Sequence, residues 1–385
     1  MAINTRSSRY VNTSITNTSY TTLDIYIWEG SKNATTTPVY SLKKFSVNGN
    51  TFVSYEVSEL IKDYINVSFN GDYNGQLVWY KSTIKAYDSS DTLLSTINSS
   101  TQSAFDSYSY FEENESFDIS NKSLLMSNRK MFVLADNIFR IPIHTETNPT
   151  VIFLKDNKIV STQVLTSSLE SDEQVKYISI NGSNSDYDSY KSRVLLDGTN
   201  TQPSTFEDSK CLQEFLDEFE IGEVDEVRVS DSNGTETIKV VTLDECKYEP
   251  KKITFINKFG ILQDMFFFKK SVEKMTVKKE SYKANTRNQY NQYSISEHVN
   301  REFNVVGNES ISLSSGYLSE EYNEVFKQLL LSEKVWITNV SNTDVQVLPL
   351  NVKTSNITYK TSLNDRLVEY TIDFDNSYDT INNIR

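Results

Sequence analysis

Two histidines, two cysteines and a scatter of carboxylates are the residues of this 385-residue sequence best equipped for chemistry. His144 and His298 stand far apart, and neither has the His, Cys or carboxylate spacing that holds a zinc ion. Cys211 and Cys246 match no zinc pattern and read as isolated buried thiols. Asp186-Tyr187-Asp188 and Asp231-Ser232-Asn233 begin like calcium loops, but neither runs on to the bidentate Glu that closes such a loop. Glu112 and Glu113 are sequence neighbours, whereas a glycosidase needs two carboxylates facing each other across a cleft. No nucleophile can be matched with a base, so no enzyme is expected and no cofactor or metal is implied.

Charge and composition narrow the classes further. The chain carries 38 Lys and Arg against 52 Asp and Glu, a net charge of -14, which suits a nucleic-acid wrapper poorly because phosphate binding needs clustered cations. No apolar run approaches the ~18 residues of a membrane-spanning helix. The opening residues, Met1-Ala2-Ile3-Asn4-Thr5-Arg6, hold no apolar stretch, so no secretory signal is expected. The 20 Phe and 23 Tyr supply enough apolar surface for a packed core, and the abundance of Ser, Thr, Asn, Val and Ile favours strands and turns.

The elements follow from periodicity. Leu23, Ile25 and Ile27 alternate along Thr21–Trp28, the pattern of a half-buried strand. Strands are also expected at Val39–Phe45, Thr51–Tyr55 and Leu77–Tyr87, with Asn48-Gly49 as a hairpin turn. Ser58 is placed to cap a short helix with Val57, Leu60, Ile61, Tyr64 and Ile65 on one face. Short strands recur from Met131 to Ile180, followed by an amphipathic helix carrying Cys211, Leu212, Phe215, Leu216 and Phe219, and by a hairpin about Asn233-Gly234. Lys252–Ile256, Met265–Phe268 and Val272–Val277 read as strands, with a turn at Asn257–Gly260. A polar stretch from Lys283 to Arg301 reads as an exposed arm. Ser319 opens a helix with Tyr322, Val325, Phe326, Leu329 and Leu330 at helical spacing and Glu320, Glu321, Glu324, Lys327 and Gln328 opposite, as for a helix lying on its own sheet. The expected fold is mainly β. A β-sandwich over 1–120 and a β-rich middle domain with one short helix over 121–245 form a tandem of sandwich-like domains. A β-domain over 246–385 follows, with one packed helix at 319–331 and an arm at 283–301.

Three blocks carry a resemblance. They are Cys246-Lys-Tyr-Glu-Pro-Lys-Lys-Ile-Thr-Phe-Ile-Asn-Lys-Phe-Gly-Ile-Leu-Gln-Asp264 with Phe266-Phe-Phe-Lys-Lys-Ser271; Gly307–Gly316 running on through Glu321-Tyr-Asn-Glu-Val325 to Trp336; and Leu363–Ile372. A weaker match surrounds Trp28 and Ser58–Tyr64. In these the chain resembles a family of virion proteins from tailed phages of Bacteroidota hosts, including the crAss-like phages. The unit from Glu309 to Thr338 also resembles the sandwich-plus-helix module of tail-tube and distal-tail proteins. The resemblance implies a structural protein of the phage tail, a ring or hub in the tail or head-to-tail connector, assembled in the host cytoplasm. Its partners would be copies of itself and other tail, connector or fibre proteins, with DNA only as passing cargo and no membrane insertion.

The candidate contact residues follow from that expectation. Phe266, Phe267 and Phe268 lie on a strand with Phe on both faces, one set for the core and one for a neighbouring subunit. Tyr282, Arg287, Tyr290 and Tyr293 belong to the polar, Tyr-rich arm and suit a subunit interface. The alternative is a carbohydrate- or fibre-binding module, in which Trp28 and Trp79 would offer stacking faces; the same aromatics also read as core.

Overall fold

The computed structural model describes residues 2–34, 36–47, 51–74, 76–134, 138–167, 169–181, 193–195, 224–243, 247–287, 289–340, 345–358 and 367–381. The expected Asn48-Gly49 turn, Asp186–Asp188, the helix about Cys211–Phe219, Cys246 and the segment Leu363–Arg366 lie outside the described residues. The architecture is mainly β, with two α-helices among the described residues, Ser58–Lys62 (α1) and Tyr322–Leu330 (α2). No helix among the described residues is long and apolar enough to cross a membrane. The chain forms two compact units. The first holds 1–245 together with 254–265 and 321–332; the second holds 246–253, 266–320 and 333–385. Both units are discontinuous in sequence.

In the first unit the alternation of Tyr20–Trp28 works as the pattern requires. Leu23, Ile25 and Ile27 are buried and the residues between them are half-buried. This strand pairs with Tyr40–Phe45 on one side and Leu77–Tyr87 on the other, and the latter also takes Leu93–Asn98 and Gln102–Phe105. The covering layer is thin. It consists of the ribbon Tyr10–Ser14 with Phe52–Glu56 and of α1, whose Val53, Tyr55, Val57 and Ile61 pack with Leu23, Ile25, Val78, Tyr80 and Ile84 in one core. Ser58 does not cap α1 as expected: Val57 holds that position, and Ser58 is the first helical residue, its hydroxyl hydrogen-bonded to the Glu56 carboxylate. Glu56 precedes the helix, and its carboxylate also accepts the Ser58 N–H at 2.9 Å.

The middle of the unit carries a three-stranded sheet, Ile138–His144 with Val175–Asn181 and Arg193–Leu195, and a five-stranded one. Pro142 is tolerated because its strand is an edge of the first. The hairpin Glu226–Asp231 to Gly234–Leu243 turns at Ser232-Asn233, and the Asp231 carboxylate accepts the Asn233 and Gly234 N–H groups at 2.8 and 3.1 Å. That carboxylate is therefore occupied by its own turn and by the Ser123 hydroxyl. His144 is fully buried, edge-on to Phe105 at 5.8 Å. Burial holds its pKa below the ordinary 6.5, against the opposing pull of Glu146 3.8 Å away. The unfolded chain thus takes up the proton that the folded chain refuses. Stability is fully present above about pH 6.5 and falls as the pH drops, by about 1.4 kcal/mol per unit at the steepest. Urea midpoints at pH 7.5 and 5.5 check this, and His144→Gln is expected to flatten the difference; an unchanged difference would contradict it.

The turn at Asn257–Gly260 belongs to this unit and is buried, not exposed. The Asn257 side chain accepts from the Phe259 and Ile261 N–H groups at 2.9 and 3.2 Å and donates to the Leu125 carbonyl at 2.7 Å. Lys258 is buried because it is compensated: its ammonium pairs with Glu113 and lies 4.3 Å from the Tyr110 ring and 4.2 Å from Phe117. Beside it, Asp264 accepts from Tyr73 at 2.5 Å and Thr254 at 2.8 Å, and the Arg140 guanidinium stacks 3.9 Å over the Tyr73 ring. Burial, then the Asp264 charge, pushes the Tyr73 hydroxyl well up, which keeps it a donor.

Helix α2 confirms the apolar spacing and corrects its surroundings. It starts at Tyr322, with Glu321 at the cap position, while Ser319 lies in a short strand paired with Leu367–Val368. The helix clusters with the first unit, where Tyr322 packs 5.7 Å from Phe132 and Glu324 accepts from the Tyr110 hydroxyl at 2.6 Å. Gln328, expected on the polar face, is fully buried: it accepts from the Lys258 N–H and donates to Ser127 at 2.6 Å and Glu324 at 2.9 Å.

The second unit takes in Val335–Val340, Val345–Val352, Thr371–Asn376, Asn300–Ser314 and Ser271–Lys283 of a seven-stranded sheet. The order of the sheet is Leu262–Phe267, Lys251–Ile256, Val335–Val340, Val345–Val352, Thr371–Asn376, Asn300–Ser314 and Ser271–Lys283. Its apolar interior includes Leu313, Ile372 and Phe374, with Phe267 edge-on to Phe374 at 6.2 Å.

Candidate functional site

The last two strands of that sheet continue well past their neighbours. Ser271–Lys283 has 13 residues and Asn300–Ser314 has 15, in antiparallel register from Ser271 opposite Leu313 to Lys283 opposite Asn300. At the root, Ser310–Ser314 also pairs with Thr371–Asp375. Farther out, the two strands have only each other in the ladder among the described residues. At ~3.3 Å per residue the ribbon reaches about 40 Å. Two bare strands are marginal in water without a covering layer, and this ribbon has none on Val272–Lys283, where every side chain is exposed.

Local devices shape the arm. Two residues, Asn304 and Val305, stand where the opposite strand offers only Lys279, a bulge that bends the ribbon. Asn304 takes the left-handed conformation there, with φ 52°, and its amide donates to Glu280 at 3.1 Å. Lys279 pairs with Glu302 at 2.9 Å, and Tyr282 meets Phe303 edge-on at 5.7 Å. At the tip the Asn285 carboxamide accepts from the Arg287 N–H at 3.1 Å, and the Arg287 guanidinium donates to Asn291 at 2.7 Å. The tip still presents apolar surface: Tyr290 is 73% exposed, Tyr293 71% and Ile295 97%.

The four arm residues singled out from sequence are thus brought together on one protruding hairpin, Tyr282 on its shaft and Arg287, Tyr290 and Tyr293 at its tip. Ile295, Val272, Met275, Val277 and Phe303 were not singled out, and all are exposed there. Their signal is an apolar residue inside a polar, charge-rich segment, which reads as noise until the register is known.

The other candidates are placed differently. Phe266, Phe267 and Phe268 are 3%, 1% and 5% exposed, so the chain itself covers both faces of that strand and none is available to a neighbouring subunit. The sequence pattern of a strand buried on both faces is the same whichever chain supplies the cover. Trp79 is 1% exposed and donates to the Gly30 carbonyl at 2.7 Å; Trp28, its partner in register, donates to the Ser31 carbonyl at 2.9 Å. The two indoles brace one turn, and Trp79 has no face left for stacking on a sugar.

Neither the known family models nor the curated proteins include a match to this chain.

Proposed function

We propose that this chain is a structural virion protein of a tailed phage, forming a ring or hub in the tail or head-to-tail connector through which DNA passes. One observation carries the reading: a two-stranded arm about 40 Å long has exposed side chains along its outer strand and a polar tip on which Tyr290, Tyr293 and Ile295 stand exposed. A monomer gains nothing by holding such a ribbon in water, whereas an assembly covers it. The sequence blocks from Cys246 onward support the phage assignment, and the net charge of -14 suits a channel wall that repels passing phosphate. The glycan-binding alternative loses its strongest stacking candidate with the burial of Trp79.

Negative-stain electron microscopy of the purified chain, sized by light scattering, tests the proposal. Closed rings with a central channel are the expected result. A monodisperse monomer at every concentration tried would overturn it.

A further inference from the structure

The arm differs in charge from the chain that bears it. From Lys269 to Ser314 there are eight Lys and Arg residues against five carboxylates, and seven of those cations but only Glu273 and Glu280 lie between Lys269 and Arg287. The residues outside 269–314 carry 30 Lys and Arg against 47 Asp and Glu. Lys270, Lys274, Lys278, Lys279, Lys283 and Arg287 are all exposed. Five of them lie along, or at the root of, the outermost strand of the seven-stranded sheet, the strand with no neighbour on its outer side among the described residues.

That distribution restricts what can cover the arm. Lysines along a free edge oppose its pairing with another copy of the same edge, because the like charges would face each other. A nucleic-acid phosphate would meet the cations but make no use of Val272, Met275, Val277 and Phe303, exposed on the same ribbon. An acidic protein surface satisfies both, since protein contacts combine charge pairing with apolar cover.

We infer that the arm docks on the acidic surface of a second copy of this chain, arm to body and not arm to arm. This rests on the structural role proposed above and specifies its contact. Such a contact is heterologous: each copy gives an arm and receives one, so the contact repeats in a single rotational sense and closes into a ring when the rotation fits. The docking is strengthened at low ionic strength, where the screening length exceeds the spacing of the charges.

The test uses the full chain with a photo-crosslinking amino acid in place of Tyr293, from about 0.01 M to about 1 M salt, across which the screening length falls from ~30 Å to ~3 Å. Chain-to-chain adducts that map to acidic segments outside 269–314 are expected at low salt and should fall roughly tenfold at high salt. The combined variant Lys274→Glu, Lys278→Glu, Lys283→Glu should lose them equally while keeping its circular dichroism and melting temperature, since all three side chains are exposed. Adducts joining two arms, or adducts unchanged by salt and by the variant, would overturn the inference. So would adducts formed only with added duplex DNA. Rings that form with no adduct at the tip would overturn this contact and leave the assembly role standing; no self-association at all would remove both.

Discussion

Gly260→Ala is expected to destabilise the first unit by about 3 kcal/mol or more, the sum of left-handed strain and overpacking against fixed backbone. Gly260 has φ 75°, a conformation that side-chain-bearing residues adopt at a cost, and a Cβ there would come within 2.6 Å of the Asp106 carbonyl carbon and 2.8 Å of its nitrogen and oxygen. The obstacle is main chain, and it cannot retreat easily. The Phe105 carbonyl is held by Thr5, and the Tyr108 N–H donates to the Lys258 carbonyl at 3.1 Å, within the same turn. The whole turn is buried, with Asn257 and Lys258 committed to Leu125, Gln328 and Glu113. A shift of the Gly260 backbone would therefore break bonds to groups that have no water to replace them. Gly234, in an exposed hairpin, is the control: a Cβ there meets nothing within 4 Å, so Gly234→Ala carries only the conformational cost. Urea unfolding of both variants beside the parent decides the matter, and a Gly260→Ala chain within about 1 kcal/mol of the parent would contradict this packing.

The same turn shows where the sequence is legible and where it is not. Asn257-Lys-Phe-Gly260 reads correctly as a turn, because Asn and Gly are the residues such a chain reversal needs. Its burial does not follow, since polar turns are normally at the surface; only the partners Glu113 and Gln328, distant in sequence, make a buried Lys258 tolerable. Gln328 illustrates the reverse case. The helical spacing of Tyr322, Val325, Phe326 and Leu329 is plain from sequence, but a polar residue on the flank of the apolar stripe reads as solvent-facing, whereas the adjoining turn uses its amide. Alternation was the surest guide, as Leu23, Ile25 and Ile27 show. It fails for Ser271–Lys283, where neither ribbon face is buried and period-2 patterning has nothing to report. The polar character of 283–301 is therefore readable, while the long shaft beneath it reads only as the short strand Val272–Val277. For Phe266–Phe268 the hydrophobic run was readable, but the identity of the covering chain was not.

The second large effect concerns the arm itself. Cutting the hairpin back to Val277 and Gly307, which lie opposite each other in the ladder, and joining them with Asn-Gly removes the shaft and tip while retaining the anchored root, including the Gly307 carbonyl that accepts the Thr380 N–H. Because the deleted ribbon is largely exposed, its loss should change folding stability by no more than about 1 kcal/mol. Assembly should respond in an all-or-none way, since each copy loses the arm it gives while the surface that receives one remains without an occupant. The shortened chain would then be a folded monomer, and adding it to the full-length chain would cap growing assemblies instead of joining them as a full member.

The central claim is that the bare ribbon is the assembling surface, and the most direct measurement is the molar mass of the full-length and arm-shortened chains by light scattering, side by side with their melting curves. The account predicts a multi-subunit particle for the full chain and a monomer of matching thermal stability for the shortened one. Two particles of the same subunit number, with and without the arm, would contradict it.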